Sequence, residues 1–172
     1  MRAGKFFRGL PISGAALCAV VASFGSPAQS PLADSNRPMF HGAIVEYLFP
    51  EQVTLPSGKP STVTLHFRVA EGYHINSHTP KDESQIPTTF SVPESYGVRL
   101  ESSSYPHGED YTLPLDPDTK LSVYAGEFTI QTRLIAERGN HLVEARLRYQ
   151  ACDKSACYPP KTIKVPIDVI GK

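Results

Sequence analysis

Residues 62–69 read TVTLHFRV, and every second side chain in this stretch is apolar. Because side chains of an extended chain alternate between the two faces of a sheet, this period of two predicts a β-strand with one buried face. The same alternation recurs in residues 143–150 and 163–169. We find no segment with the 3.6-residue spacing of an amphipathic helix. The sequence therefore predicts an all-β protein.

Shorter candidate strands fill much of the chain around these three segments. They are residues 43–49, 73–76, 88–92, 98–102 and 121–135, the last of which is broken into two strands at Ala125-Gly126. Turn-forming clusters such as LPSGKP at 55–60 separate them. Seven to nine short strands in a domain of about 130 to 145 residues indicate an immunoglobulin-like antiparallel β-sandwich, with a closed barrel as the competing architecture.

The N-terminus has the features of a secretory signal peptide. A basic start precedes the apolar stretch 10–24, which is shorter than the roughly 20 residues needed to span a bilayer. Small residues near Ala28 predict cleavage there, so residues 1–28 are the predicted signal peptide. Cys18 lies within it and leaves with it. The protein is therefore predicted to be periplasmic or secreted, without a membrane span after processing.

The composition of the chain excludes a nucleic-acid binder. It has 17 Lys+Arg against 17 Asp+Glu and no long basic run, whereas phosphate contacts need clustered cations. Residues 29–38 are polar and without periodicity, which predicts a disordered lead-in. A single β-sandwich domain is expected over residues 39–172.

Two cysteines remain after cleavage, in the stretch YQACDKSACYPP at 149–160. If residues 153–156 form a hairpin loop, Cys152 and Cys157 become a cross-strand pair with Cα atoms roughly 4.5 to 5.5 Å apart, which a disulfide accepts. So short a loop gives a disulfide only about 2 kcal/mol of stabilisation, which favours redox chemistry without proving it. Spacing alone leaves a structural bond and a redox-active bond equally open.

The cysteine hairpin resembles the active-site hairpin of a known family. YQAC at 149–152, CYPPK at 157–161 and the strand at Val165-Pro166 are similar to those of the N-terminal periplasmic domain of the thiol:disulfide interchange protein DsbD. Weaker similarities to this family extend over most of residues 40–170. They are EGYHIN at 71–76, QIPT at 85–88 and LSVYAGE at 121–127.

This resemblance implies an immunoglobulin-like sandwich whose cysteine pair shuttles between dithiol and disulfide. Electrons would come from a thioredoxin-like donor or a membrane electron-donor protein and pass to periplasmic thiol proteins. The second cysteine makes the mixed disulfide in the family, which implies Cys157 in this chain, and Cys152 would resolve it. No cofactor is implied.

The resemblance also implies a cap loop that shields the cysteine pair. Its counterpart would lie within residues 104–111, with Tyr111 or Tyr105 as the shield and Asp110 as the nearby acid. At the positions where better-known members carry tyrosines, this chain has His74 and Asn76.

One other function stays open on the sequence, a non-catalytic immunoglobulin-like binding module in which the disulfide only tightens a hairpin. His74 and His78 do not predict a metal site, because four residues of extended chain span about 13 Å, too far for shared ligation. We predict no metal and no cofactor.

Overall fold

The computed structural model describes residues 42–48, 52–94, 97–114 and 116–172, which form twelve β-strands. In chain order these are β1 (Val45–Leu48), β2 (Gln52–Leu55), β3 (Ser61–Val69), β4 (His74–Asn76), β5 (Thr89–Ser91), β6 (Val98–Ser104), β7 (Glu109–Leu113), β8 (Asp116–Tyr124), β9 (Glu127–Ala136), β10 (Gly139–Tyr149), β11 (Ala151–Cys152) and β12 (Lys161–Gly171). The predicted signal peptide and lead-in lie outside the described residues. Within the described ranges, no helix is long and apolar enough to cross a membrane.

Two four-stranded sheets share one hydrophobic core. Their strand orders are β1-β3-β9-β6 and β2-β12-β10-β5. In β3 the apolar positions are buried and the intervening ones are mostly exposed, as the alternation predicts. Leu65 and Phe67 of the first sheet and Leu147 and Ile167 of the second belong to the same buried cluster. The predicted all-β, immunoglobulin-like sandwich is confirmed.

The longest ladder of the second sheet sets the start of the cysteine hairpin. β10 and β12 pair antiparallel over eleven rungs, from Gly139 opposite Gly171 to Tyr149 opposite Lys161. The hairpin therefore begins directly beyond the last rung. The other edge of β12 pairs in parallel with β2, so the second sheet is not purely antiparallel.

A third sheet connects the sandwich to the first of the two cysteines, Cys152. Its order is β11-β4-β8-β7, and β11 follows β10 after the single residue Gln150. Ile75 of β4 and Tyr124 of β8 are opposite each other and join the common core. Cys152 therefore lies on an edge strand of a sheet that packs one of its faces against the core.

The strand count exceeds the predicted seven to nine because three short strands escaped the prediction. They are β2, β7 and β11, none longer than five residues, and a period of two is hard to recognise in so few positions. The predicted break at Ala125-Gly126 is confirmed, since it separates β8 from β9. Gly126 has a φ of 60°, a conformation that favours glycine.

Candidate functional site

The two cysteines close a hairpin loop by a disulfide. Cys152 and Cys157 form an isolated antiparallel bridge with Cα atoms 3.9 Å apart. Asp153 N donates to Ala156 O at 2.9 Å, and Tyr158 N donates to Ala151 O at 2.8 Å. These bonds flank the cysteines, which makes them the narrow, non-hydrogen-bonded type of antiparallel pair. This type is the closer of the two antiparallel pairs, at about 4.5 Å, and the cysteines lie closer still, below the 4.5 to 5.5 Å expected from the sequence.

The carboxylate of Asp153 organises the loop between the cysteines. Its Oδ1 accepts hydrogen bonds from the backbone N–H groups of Ser155 and Ala156, at 2.7 and 2.8 Å. Its Oδ2 accepts one from the hydroxyl of Tyr158 at 2.5 Å. An Asp that binds backbone N–H groups two and three residues ahead is a common turn former. The loop is thus held by hydrogen bonds in addition to the disulfide.

The two sulfur-bearing residues differ sharply in exposure. Cys152 is only 1% exposed, whereas Cys157 is exposed. The following Pro159 and Pro160 are also exposed, and because proline lacks an N–H group they cannot extend a sheet ladder there. An external thiol can therefore reach Cys157 more readily than Cys152.

A shallow groove of about 260 Å³ runs beside the disulfide. The cysteine hairpin, residues 152–157, forms one wall, and Leu113 and Pro114 form the other. The sequence placed the shielding segment at residues 104–111, so these two residues were missed. No sequence signal identified them, since only the fold brings the end of β7 to the hairpin.

Gln150 anchors the hairpin to the third sheet and to the segment after β4. Its Nε2 donates to Tyr158 O at 3.2 Å, and its Oε1 accepts hydrogen bonds from Asn76 Nδ2 at 3.1 Å and Ile86 N at 3.3 Å. Asn76 Nδ2 also contacts Ile86 O. The predicted site residue Asn76 therefore lies in a network that fixes the hairpin's base. Gln150 itself was missed, although it directly precedes the Ala-Cys dipeptide.

His74 lies on β4, next to the strand that carries Cys152. It is the cross-strand partner of Cys152, and its ring centroid lies 4.2 Å from that of Tyr111. Burial lowers the pKa of His74, and the nearby negative charge of Asp153 opposes this effect. Two predicted supporting residues, His74 and Tyr111, are thus brought together next to Cys152.

The remaining two predicted supporting residues contact the segment that follows β4. Asp110 forms an exposed ion pair of 2.6 Å with Lys81, whose hydrogen bond and charge lower the pKa of the Asp110 carboxyl. The Tyr105 ring stacks on His78 at 3.7 Å, and its hydroxyl accepts a hydrogen bond from Phe90 N. Burial raises the pKa of Tyr105. Both side chains brace residues 78–90.

The two histidines considered as metal ligands face different surroundings. His74 contacts Tyr111, whereas His78 stacks on Tyr105 and its Nδ1 contacts Thr88 O. Across the part of the chain that the structure describes, no three His, Cys, Asp or Glu side chains are grouped as a metal site.

Curated proteins similar to this chain carry one name. The thiol:disulfide interchange protein DsbD of Haemophilus ducreyi is 22% identical over 134 residues, which are 78% of this chain and 20% of that protein. The protein of the same name from Actinobacillus pleuropneumoniae serotype 5b is 24% identical over 110 residues, which are 62% of this chain and 16% of that protein. The chain spans a fifth or less of the length of these relatives.

Two solved structures from Neisseria meningitidis are also similar. The DsbD N-terminal domain in the reduced form has a TM-score of 0.44 and 20% identity, covering 67% of this chain and 82% of that one. The complex between the DsbD N-terminal and PilB N-terminal domains gives a TM-score of 0.42 and 20% identity, covering 61% and 73%.

The family match covers the β-domain described above. The sequence profile described as "Thiol:disulfide interchange protein DsbD, N-terminal" matches residues 45–168, which is more than half of the chain and extends from β1 into β12. The chain therefore belongs to the family of N-terminal domains of the thiol:disulfide interchange protein DsbD.

Proposed function

We propose that this protein exchanges thiols and disulfides with partner proteins through a reversible Cys152–Cys157 bond. It relays electrons from a thioredoxin-like or membrane-bound donor to exported thiol proteins in the periplasm. Membership of the DsbD N-terminal family supports this activity, and the predicted signal peptide supports the compartment.

The observation that carries the proposal is the unequal exposure of the two cysteines. Thiol–disulfide exchange begins when a thiolate attacks an accessible sulfur of a disulfide. Cys157 is exposed at the rim of the groove, while Cys152 is 1% exposed. The partner bond therefore forms at Cys157, and Cys152 stays in place as the resolving thiol.

The exchange needs no external oxidant or reductant beyond the partner proteins. A donor thiolate attacks Cys157 Sγ, the S–S bond breaks, and its electron pair moves to Cys152 Sγ. A second donor thiolate then attacks the mixed disulfide, which oxidises the donor and leaves Cys157 as a thiolate.

In the next half-reaction Cys157 attacks an acceptor disulfide. Cys152 then attacks Cys157 Sγ, restores the internal bond and releases the reduced acceptor.

We assign the shielding role predicted from the sequence to Tyr111, acting together with Leu113 and Pro114. Tyr111 contacts His74 beside the buried sulfur, and the other two residues form the wall of the groove that faces the hairpin. Tyr105 and Asp110 act indirectly in this proposal, because they hold the segment after β4 through His78 and Lys81.

A structural disulfide in a non-catalytic binding module is the second candidate function. β11 has only two residues and lies at the edge of its sheet, so a covalent bond would hold a weakly paired segment of the chain. In that case removing both cysteines would cost about 2 kcal/mol of stability while partner binding persists.

A comparison of wild type, Cys152→Ser and Cys157→Ser distinguishes these functions. Each protein is reduced and then mixed with an oxidised thioredoxin-type protein. We expect Cys152→Ser to accumulate a mixed disulfide at Cys157, because its resolving thiol is absent. The matched variant Cys157→Ser should form little adduct, since Cys152 is buried. Wild-type protein should reduce the probe without retaining it. Equal adduct in wild type and Cys152→Ser, or an adduct mapped to Cys152, would contradict the proposal.

A further inference from the structure

The imidazole of His74 has no role in the exchange as described so far. The residue is 3% exposed, and its Nε2 atom is buried without a hydrogen-bond partner among the residues that the structure describes. Most buried polar atoms in proteins have a partner, so each exception calls for a physical explanation. A partner that exists only in another state of the protein would provide one.

The register of the third sheet places this imidazole next to the buried sulfur. His74 and Cys152 are directly opposite on antiparallel strands, so their side chains project from the same face. Their neighbours Ile75 and Ala151 are also opposite each other and belong to the hydrophobic core. The His74 and Cys152 side chains therefore lie together on the face directed away from the core.

The groups around this pair leave a thiolate poorly solvated. β7 contributes Tyr111, whose ring contacts His74, and the hairpin contributes Asp153. From β8, apolar Leu121 and Val123 project from this face, and exposed Glu109 lies opposite Val123. Burial lowers the pKa of His74, which favours the neutral ring while the disulfide is intact. The hairpin also contributes Lys154, which is exposed and lines the groove. A buried thiolate needs a hydrogen-bond donor close to the sulfur.

We propose that His74 donates a hydrogen bond to the Cys152 thiolate and then takes up a proton when that thiolate forms. The role rests on the proposed function, because exchange at Cys157 is what releases Cys152. As the S–S bond breaks, its electron pair moves to Cys152 Sγ, and the N–H at Nε2 donates to this new anion. The adjacent negative charge favours the imidazolium form, so the other ring nitrogen accepts a proton from solvent. When Cys152 re-forms the disulfide, that proton returns to solvent.

Histidine titration by NMR in the oxidised and the chemically reduced full chain tests the coupling without any partner protein. Reduction with dithiothreitol should raise the pKa of His74, whereas the NMR signals of the His66 ring, on the exposed outer face of β3, should not move on reduction. An unchanged His74 titration, or an equal change at His66, would overturn the proposal. The reductant is a small molecule, so this titration can be interpreted even if the protein does not exchange disulfides with a thioredoxin-type protein.

Variants of His74 in the Cys157→Ser background test the hydrogen bond itself. In the processed chain, which lacks Cys18, the ultraviolet absorbance of the thiolate reports the ionised fraction of Cys152. His74→Phe, which lacks a donor, should lower the ratio of thiolate to thiol about tenfold near neutral pH, equivalent to one pKa unit. His74→Gln retains an N–H donor and should lower it less, while losing the second titration step that the imidazole adds. Equal thiolate fractions in all three proteins would refute the role. If His74→Phe does not fold, persistence of the second titration step in His74→Gln would refute it.

Discussion

The hydroxyl of Tyr158 donates a hydrogen bond of 2.5 Å to Asp153 Oδ2, across the base of the loop that the disulfide closes. The other oxygen of this carboxylate binds the backbone N–H groups of Ser155 and Ala156. One side chain thus connects the residue after Cys157 to the turn between the cysteines. The position of Cys157 is therefore fixed by more than its covalent bond.

Removing the Tyr158 hydroxyl should weaken this arrangement without changing its shape. We expect Tyr158→Phe to lower the free energy of unfolding of the oxidised protein by about 1 kcal/mol, because a half-buried carboxylate loses one of three donors. Chemical denaturation of both oxidised proteins measures the difference. A variant as stable as wild type would show that water replaces the hydroxyl at no cost.

Gln150 should contribute more than its position between two strands suggests. Gln150→Ala leaves Asn76 Nδ2 and Ile86 N without their shared acceptor, and we expect a loss of about 2 kcal/mol. The matched control is Gln131→Ala, because Gln131 is exposed on β9 and its replacement should change stability by less than about 0.5 kcal/mol. Similar losses in the two variants would contradict the anchoring role.

Two leucines of β10 test the burial pattern of the second sheet. Leu147 is fully buried in the core, whereas Leu142 is 69% exposed. Leu147→Ala should destabilise the protein by about 2 to 5 kcal/mol, and Leu142→Ala by less than about 0.5 kcal/mol. Thermal and denaturant unfolding of the two variants report both values. The pattern would be refuted if the exposed position were the costlier one.

His74 should make the stability of the oxidised protein depend on pH. Burial lowers its pKa in the folded state, whereas the unfolded chain titrates near about 6.5. Between these values the unfolded state binds more protons, so the free energy of unfolding falls as the pH drops below about 6.5 and is unaffected by His74 above it. Unfolding measured across this range should show a shallower pH dependence in His74→Gln than in wild type. Parallel curves would mean that His74 is not the responsible group.

The sequence predicted strands best where apolar and polar residues alternate over a long segment. β3, β10 and β12 each contain nine or more residues, so the period of two stands out from chance. β7 and β11 are too short to show it, and the position of β11 depends on pairing with β4, which lies much earlier in the chain. Pairing at a distance leaves no local pattern.

The same difference between local patterns and distant contacts applies to the candidate site. Cys152, Cys157 and the loop between them are local, so their pairing could be predicted from spacing and from turn chemistry. The opposite placement of His74 and the approach of Leu113 depend on the third sheet as a whole. The exposure of Cys157 agrees with the two prolines that follow it, which take its strand out of a sheet, whereas the burial of Cys152 arises only from the fold.

The reduction potential of the Cys152–Cys157 pair is the most direct test of the proposed exchange. Equilibration of the processed chain, which lacks Cys18, with defined glutathione or thioredoxin-type couples, followed by alkylation of free thiols, gives the fraction reduced at each potential. A relay of electrons between proteins requires a midpoint well above roughly −300 mV, and this is the result we predict. A midpoint at or below that value would identify an inert structural bond and contradict the account.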